Sequence, residues 1–362
     1  MPKLPNLSSV VSRQSSLAFA TAALTLAVTA PALAQAPTKP SVADVALYQG
    51  ADREKRLIEG AKKEGSLSVY TSATVEDMAV ITSAFEKKYG VKVNVYRASS
   101  ENVVRRGIAE MRAGRNEADI FETNGPDMES LYREQLFQEV RSPHLADLVP
   151  GAVAPHREWV GARMNIYVIT YNTKLVRRED LPRSFEDLLN PRWKGKLGIE
   201  ASDPAWFAMV VNDLGEAKGL KLFRDIVSAN GISVRKGHTL LTQLVVSGEV
   251  PMALTTYHYK AEQYKKDGAP VDWLILQPAV ARFQGMGLAR RSPRPHAAVL
   301  FFDFMLSDAQ ELLAKRDFTV TSRKVASPAQ KLSLKFVDPK LVLDESEKWS
   351  KLYAEIVTRQ SR

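Results

Sequence analysis

Tyr257, His258 and Tyr259 stand together in the stretch TTYHYKAEQ (255–263). Two phenols around an imidazole can hold a metal, hold an organic ligand or simply pack, and the trio alone leaves all three open. Tyr259 is the first candidate for ligand contact, with Tyr257 second. The other histidines are His144, His156, His238 and His296, and none has a second histidine at metal-ligand spacing. The chain has no cysteine, which removes disulfides, thiolate zinc sites and thiol nucleophiles together. It has no phosphate-binding G-x-x-x-x-G-K-[ST] loop, G-x-S-x-G elbow, H-E-x-x-H pair or calcium-loop pattern, and GMGLAR (285–290) is only a fragment of a dinucleotide fingerprint. An exported hydrolase or transferase would need a nucleophile beside a base, and no such pairing is visible. The expectation is a binding protein rather than an enzyme.

The elements that must position the trio follow from periodicity. ADREKRLIEGAKKEG (51–65) reads as a helix stopped by Gly65, and SLSVYTSAT (66–74) as a strand. Met78, Ile81, Thr82 and Phe85 mark one face of the next helix, which Thr74 caps with Asp77 at its third position. VKVNVYRASS (91–100), a helix marked by Val104, Ile108 and Met111, and ADIFETNGP (118–126) complete a βαβαβ pattern, which demands a parallel sheet with helices on its faces. Further on, NIYVITYNT, KGKLGIE, VPMALTT, DWLILQP and GMGLARR read as strands. SDPAWFAMVVNDL reads as a helix with Asp203 as cap and Pro204 first, PHAAVLFFDFMLS as a helix, and SDAQELLAKR as a helix capped by Ser307. The fold class is α/β in two lobes.

In such sheets ligands sit beyond the carboxyl ends of the strands, where helix N-termini offer unpaired N–H groups. Four loops qualify: Thr71–Thr74, Thr123–Gly125, Ser202–Ala205 and Thr255–Tyr259. Each of Thr74 and Asp203 taken singly is explained as a helix cap; four such loops together point to a polar ligand.

The 362 residues suit two domains, and 45% hydrophobic with 25% charged residues is ordinary globular composition. Residues 1–34 differ. Lys3 and Arg13 are their only charges, Leu17–Val28 is uncharged, and APALAQA follows, with Ala32 and Ala34 meeting the small-residue cleavage rule. A secretory signal over 1–34 is expected, and with it a periplasmic protein. The formal net charge of +9 stays positive after its removal, and its cations are dispersed among acids. That, with export and the absence of a Lys/Arg-rich run interleaved with aromatics, argues against a nucleic-acid surface and favours a small anionic ligand.

Several segments carry a closer resemblance. GSLSVYTSATVEDM, ADIFETNGPDMESL, YNTKLVRREDLPRSFEDLLNPRWKGKLGI, VVSGEVPMAL, KKDGAPVDW and SPRPHAAVLFFDFMLSDAQ occur in one order across residues 55–325. Together they resemble the periplasmic solute-binding proteins of ABC importers, in the branch that includes the ferric-ion-binding proteins. The resemblance implies the type II two-lobe fold: residues 41–144 plus 277–330 in one lobe, 145–276 plus 331–362 in the other, joined by crossing strands. It implies a monomer that clamps a small ligand between the lobes and delivers it to an inner-membrane permease, with no cofactor.

The ferric members hold iron with a histidine, a glutamate and two adjacent tyrosines. Here the histidine position is Thr74, the glutamate position falls at Asn124, and the tyrosine pair aligns with His258 and Tyr259, with Tyr257 one residue early. The anion pocket of the family maps onto Ser202, Asp203, Ala205 and His238. Fe³⁺ is a hard cation that wants anionic oxygens, so neutral replacements make a poor ferric site, in which Tyr259 and Tyr257 would be the metal ligands. The expected cargo is a small organic or phosphorylated anion, with Fe³⁺ as the alternative. Its contacts are Thr71, Ser72, Thr74, Asn124 and the tyrosines, and Arg97 and Arg163 near strand ends either neutralise it or form ion pairs of their own.

Overall fold

A computed structural model of the protein describes residues 40–327 and 332–358. The expected leader, residues 1–34, lies outside them, as does the expected lobe boundary at 330–331.

Two helices open the described chain, α1 (Val42–Ala46) and α2 (Arg53–Glu64). Gly65 ends α2 at φ 72°, a conformation that costs glycine least, and its N–H closes the last turn on Ala61. Then come β1 (Ser66–Thr71), α3 (Val75–Tyr89), β2 (Lys92–Arg97), α4 (Ser100–Arg112), β3 (Ile120–Asn124) and α5 (Gly125–Arg133). Thr74 caps α3: its hydroxyl accepts the Asp77 N–H at 3.3 Å and donates to the Asp77 carboxylate at 2.8 Å. The strands lie parallel with β1 central, Val69 standing opposite both Val95 and Ile120. This is the sheet that the βαβαβ pattern requires.

After β4 (Phe137–Gln138), the chain runs through β5 (Val160–Asn172), β6 (Leu197–Glu200), α6 (Pro204–Asp213), α7 (Glu216–Asn230), β7 (Ser233–Arg235), α8 (His238–Ser247), β8 (Met252–Tyr257), α9 (His258–Lys266) and β9 (Val271–Leu274). It returns as β10 (Val280–Ala289), α10 (Pro295–Leu306), α11 (Asp308–Ala314) and β11 (Thr319–Val320), and finishes with β12 (Lys335–Phe336), α12 (Pro339–Asp344) and α13 (Ser346–Tyr353).

The strand order is β2-β1-β3-β10-β5-β8-β6-β7. Strand β5 belongs to two sheets. Up to Ile166, opposite Ala281, it pairs with β10; from Tyr167, opposite Tyr257, it pairs with β8 and β9. Each sheet has its own apolar core. On the first, Phe85 meets Phe301 and Phe304 edge-on at 5.1 and 5.4 Å; on the second, Phe223 meets Phe207 and Trp206 at 5.0 and 5.9 Å. Two cores around two sheets make two lobes, and β5 runs unbroken from one to the other, while the chain crosses back between β9 and β10.

The C-terminal helices reach both lobes. Trp349 and Tyr353 of α13 pack their rings on Phe207 at 6.2 and 5.5 Å, while Asp344 at the end of α12 pairs with Arg133 of α5 at 2.6 Å.

Two expected caps act otherwise. Asp203 stands at the N-cap position of α6 without a side-chain cap bond, because its carboxylate is drawn to the His238 imidazole and the Tyr167 hydroxyl. Ser307 turns its hydroxyl back to the Asp303 carbonyl at 2.7 Å, closing α10 instead of opening α11.

Candidate functional site

The ends of β1, β3, β6 and β8 converge on one cleft of about 780 Å³ between the lobes. All four expected loops reach it, and the side chains divide into those that face the space and those that hold the wall.

From the first lobe, Ser72 and Thr74 follow β1, and Asn124 follows β3. Ser72 accepts a hydrogen bond from Gln284 at 3.0 Å. Asn124 caps α5: its Oδ1 accepts the Asp127 N–H at 3.2 Å, and its amide donates to the Asp127 carboxylate at 2.5 Å. Burial pushes the Asp127 carboxyl up to about 6, against the pull of Arg282 and Asn124. Arg97 lines the rim and donates from Nε to the Ala73 carbonyl at 3.4 Å. Thr71 belongs to the wall. It is fully buried, its hydroxyl donates to the Glu122 carboxylate and accepts the Ala73 N–H at 2.9 Å, so it does not reach the cleft.

From the second lobe, Ser202, Ala205 and His238 line the cleft, with Asp203 just beneath at 1% exposure. His238 Nδ1 lies 3.1 Å from the Thr255 carbonyl and Nε2 lies 3.4 Å from Asp203 Oδ1. Donation from Nδ1 leaves Nε2 facing a carboxylate, an arrangement that calls for a proton there. Burial works against that charge, but the adjacent Asp203 carboxylate outweighs it and holds the His238 pKa above its ordinary value. Asp203, which burial alone would raise, is held down by the imidazolium. Glu200, at the end of β6, shifts upward through burial and the nearby Asp203 charge. Glu200, Asp203 and His238 could offer a metal ion ligand atoms within 4.8 Å of one another. Both Glu200 oxygens already accept backbone N–H groups, from Gly237 at 2.8 Å and from Ser202.

The tyrosines of the opening trio come together where β8 gives way to α9. Their rings lie 6.0 Å apart at 17°, both on the cleft; Tyr257 rests on His238 at 4.0 Å and Tyr259 on Phe318 at 4.1 Å. His258, the first residue of α9, turns away from the cleft. It is 9% exposed and meets Trp273 edge-on at 4.7 Å, so it packs and does not line the cleft. Burial raises both phenols, with Arg163 and Arg282 pulling Tyr259 the other way; Tyr259 is pushed up to about 12. Both are neutral hydroxyls at neutral pH.

The cleft floor comes from the middle strands. Arg163 of β5 is 4% exposed and pairs with Glu122 at 3.1 Å and Asn165 at 3.0 Å. Arg282 of β10, which the sequence reading passed over, donates to the Tyr257 hydroxyl and sits over the rings of Tyr167 and Tyr257 at 5.4 and 5.6 Å. Among the described residues no carboxylate oxygen lies within 4.0 Å of it. Burial acts to lower its pKa, but Tyr167, Tyr257 and Asp203 more than offset this, so the guanidinium stays charged. Gln284, Asn165 and Glu200 were also passed over, as were the cleft-lining Ser346, Ser350 and Tyr353 of the C-terminal helices. An arginine and a glutamine two apart inside the apolar run AVARFQG were the available signal for β10.

Residues 70–312 match the family of bacterial extracellular solute-binding proteins. The chain belongs to that family. A relative, Iron uptake protein A1 of Synechocystis sp., is 25% identical over 277 residues, which cover 71% of the binding protein and 75% of the relative. The structure of AfuA from Actinobacillus pleuropneumoniae with fructose-6-phosphate bound superposes with a TM-score of 0.72 at 20% identity, covering 82% of this chain and 99% of that one. Iron-bound HitA from Pseudomonas aeruginosa superposes at 0.69 with 22% identity, covering 80% and 99%. The binding protein thus has the type II periplasmic-binding-protein fold. At the two positions where the resemblance places the ferric histidine and glutamate, it carries Thr74 and Asn124, and both spend their side chains capping helices.

Proposed function

We propose that the chain is the periplasmic substrate-binding component of an ABC importer, closing its lobes on a small organic or phosphorylated anion and presenting it to a membrane permease. Arg282 carries this reading. A guanidinium set into the floor of a cleft without a carboxylate beside it is costly, since an ion withdrawn from water loses several kcal/mol that a paired counter-ion returns. Arg163, on the neighbouring strand β5 and lining the same cleft, has Glu122 for this purpose. For Arg282 an anionic ligand supplies the missing charge, through the kind of charge-assisted contact that guanidinium makes best.

Iron is the second reading, favoured by the tyrosine pair in the cleft and by the iron-uptake relative. Against it, Fe³⁺ wants anionic oxygens, and Arg282 sets a positive charge against the Tyr257 hydroxyl.

The discriminating experiment is thermal unfolding of the purified chain with inorganic phosphate, fructose 6-phosphate, citrate or ferric citrate. Binding to the folded state alone raises the melting temperature by mass action. The anion reading expects a shift with at least one iron-free anion, its loss in Arg282→Gln, and a colourless protein after ferric loading. A coloured ferric complex with no response to any iron-free anion would reverse the choice.

A further inference from the structure

The corner of the cleft between β6 and β7 has the donors for an anion, and a side chain of the protein already occupies them. Glu200 is 4% exposed and lines the cleft. Its Oε1 accepts the Gly237 N–H at 2.8 Å, immediately before α8, and its Oε2 accepts the Ser202 N–H, just ahead of α6. Both helices run ten residues, and the N–H groups at such termini ordinarily gather a small anion. The carboxylate cannot easily swing away. The Glu200 main chain is pinned on both sides, its N–H donating to Thr255 Oγ1 at 3.0 Å and its carbonyl accepting the Tyr353 hydroxyl.

We propose that Glu200 is a specificity-determining residue: a built-in anion that closes the second lobe's helix N-termini to the anionic group of the cargo and offers an acceptor instead. This rests on the cleft being the cargo site. The anionic group is left to Arg282 and Arg97, and the part of the cargo that meets Glu200 is a hydrogen-bond donor, a hydroxyl or an ammonium. The cargo class is therefore an anion that carries a donor, and a bare inorganic anion is a poor fit. The buried Asp203 carboxylate beneath adds like charge to the same corner.

The test is a gain of binding. Inorganic phosphate and acetate are titrated calorimetrically into the wild-type chain, Glu200→Ala and Glu200→Gln. Removing the carboxylate frees two N–H donors and a negative charge's worth of repulsion, so Glu200→Ala is expected to bind one of these probes at least about tenfold more tightly than wild type. Glu200→Gln keeps the volume and one acceptor, stays folded if the alanine variant does not, and is expected to gain less in the same direction. Equal affinities in wild type and in the folded variants overturn the proposal. If the variants gain while the wild type answers no anion tested above, the Glu200 assignment stands and the anion-cargo reading falls; if the wild type binds fructose 6-phosphate or citrate and the variants gain nothing, Glu200 alone falls.

Discussion

The Arg133 guanidinium of α5 and the Asp344 carboxylate of α12 meet at 2.6 Å, tying the C-terminal segment to the helix whose cap, Asn124, faces the cleft. Both side chains are 38% exposed, so the pair contributes only about 0–1 kcal/mol. Asp344→Ala should leave the melting temperature nearly unchanged while speeding amide hydrogen exchange across α12. Unchanged exchange there would show that Pro339, packed against Gly125, holds the segment unaided.

Arg282→Met should separate stability from binding. It removes a half-buried charge with no carboxylate within 4.0 Å among the described residues and keeps the apolar stem, so the ligand-free protein is expected to be as stable as wild type or more stable by about 1 kcal/mol. Anion-induced stabilisation should vanish. Denaturant unfolding with and without fructose 6-phosphate reads both, and a destabilised ligand-free variant would mean that the bond to Tyr257 outweighs the desolvation of the charge.

The His238–Asp203 pair makes stability depend on pH in a defined direction. The His238 pKa lies above its ordinary value of 6.5, so the folded state binds its proton more tightly than the unfolded chain does. Its contribution is complete below pH 6.5 and is lost as pH rises through the folded-state value. Asp203, held below 3.8, acts at the other end: its contribution is present above that value and fades only as pH falls through its own lowered one. His238→Gln should therefore lower the melting temperature most below about pH 6.5, with the gap to wild type narrowing as pH rises above it through the raised folded-state value. A gap that does not move with pH argues that the ring only packs.

Phe207→Ala strikes the contact between the second lobe's core and α13. Phe207 is fully buried beneath Trp349 and Tyr353, and such truncations cost about 3–5 kcal/mol. Since Tyr353 also donates to the Glu200 carbonyl, the variant should loosen the cleft corner as well, seen as faster exchange at Ser202 and Gly237. Loss of stability without that local change would confine the damage to the core.

The first lobe was readable because its strands alternate and its helices carry their caps: Gly65, Thr74 and Asn124 each do locally what their residue types suggest. The strand ends therefore named loops that reach the cleft, and ten of the candidate residues line it. The middle strands were harder. Strand β5 was read from Asn165 but begins at Val160, because Arg163 and Asn165 interrupt the apolar run and only the fold reveals that Glu122 and Gln284 satisfy them. Arg282 was missed for the same reason. Thr71 and His258 have polar side chains in loops that reach the cleft, yet each is turned to the wall by a partner far away in sequence, Glu122 and Trp273. A partner at that distance leaves no trace in local pattern.

Strand β5 changes neighbours between Ile166 and Tyr167, so a single peptide link there carries the chain from one sheet to the other. Arg163 and Asn165 sit within a few residues of that link, whereas Glu101 and Lys236 stand 4.0 Å apart across the mouth of the cleft. If the lobes close on a ligand as proposed, the floor beside that link is expected to move least and the rims most, so that cargo would meet a near-stationary floor before the rims come over it.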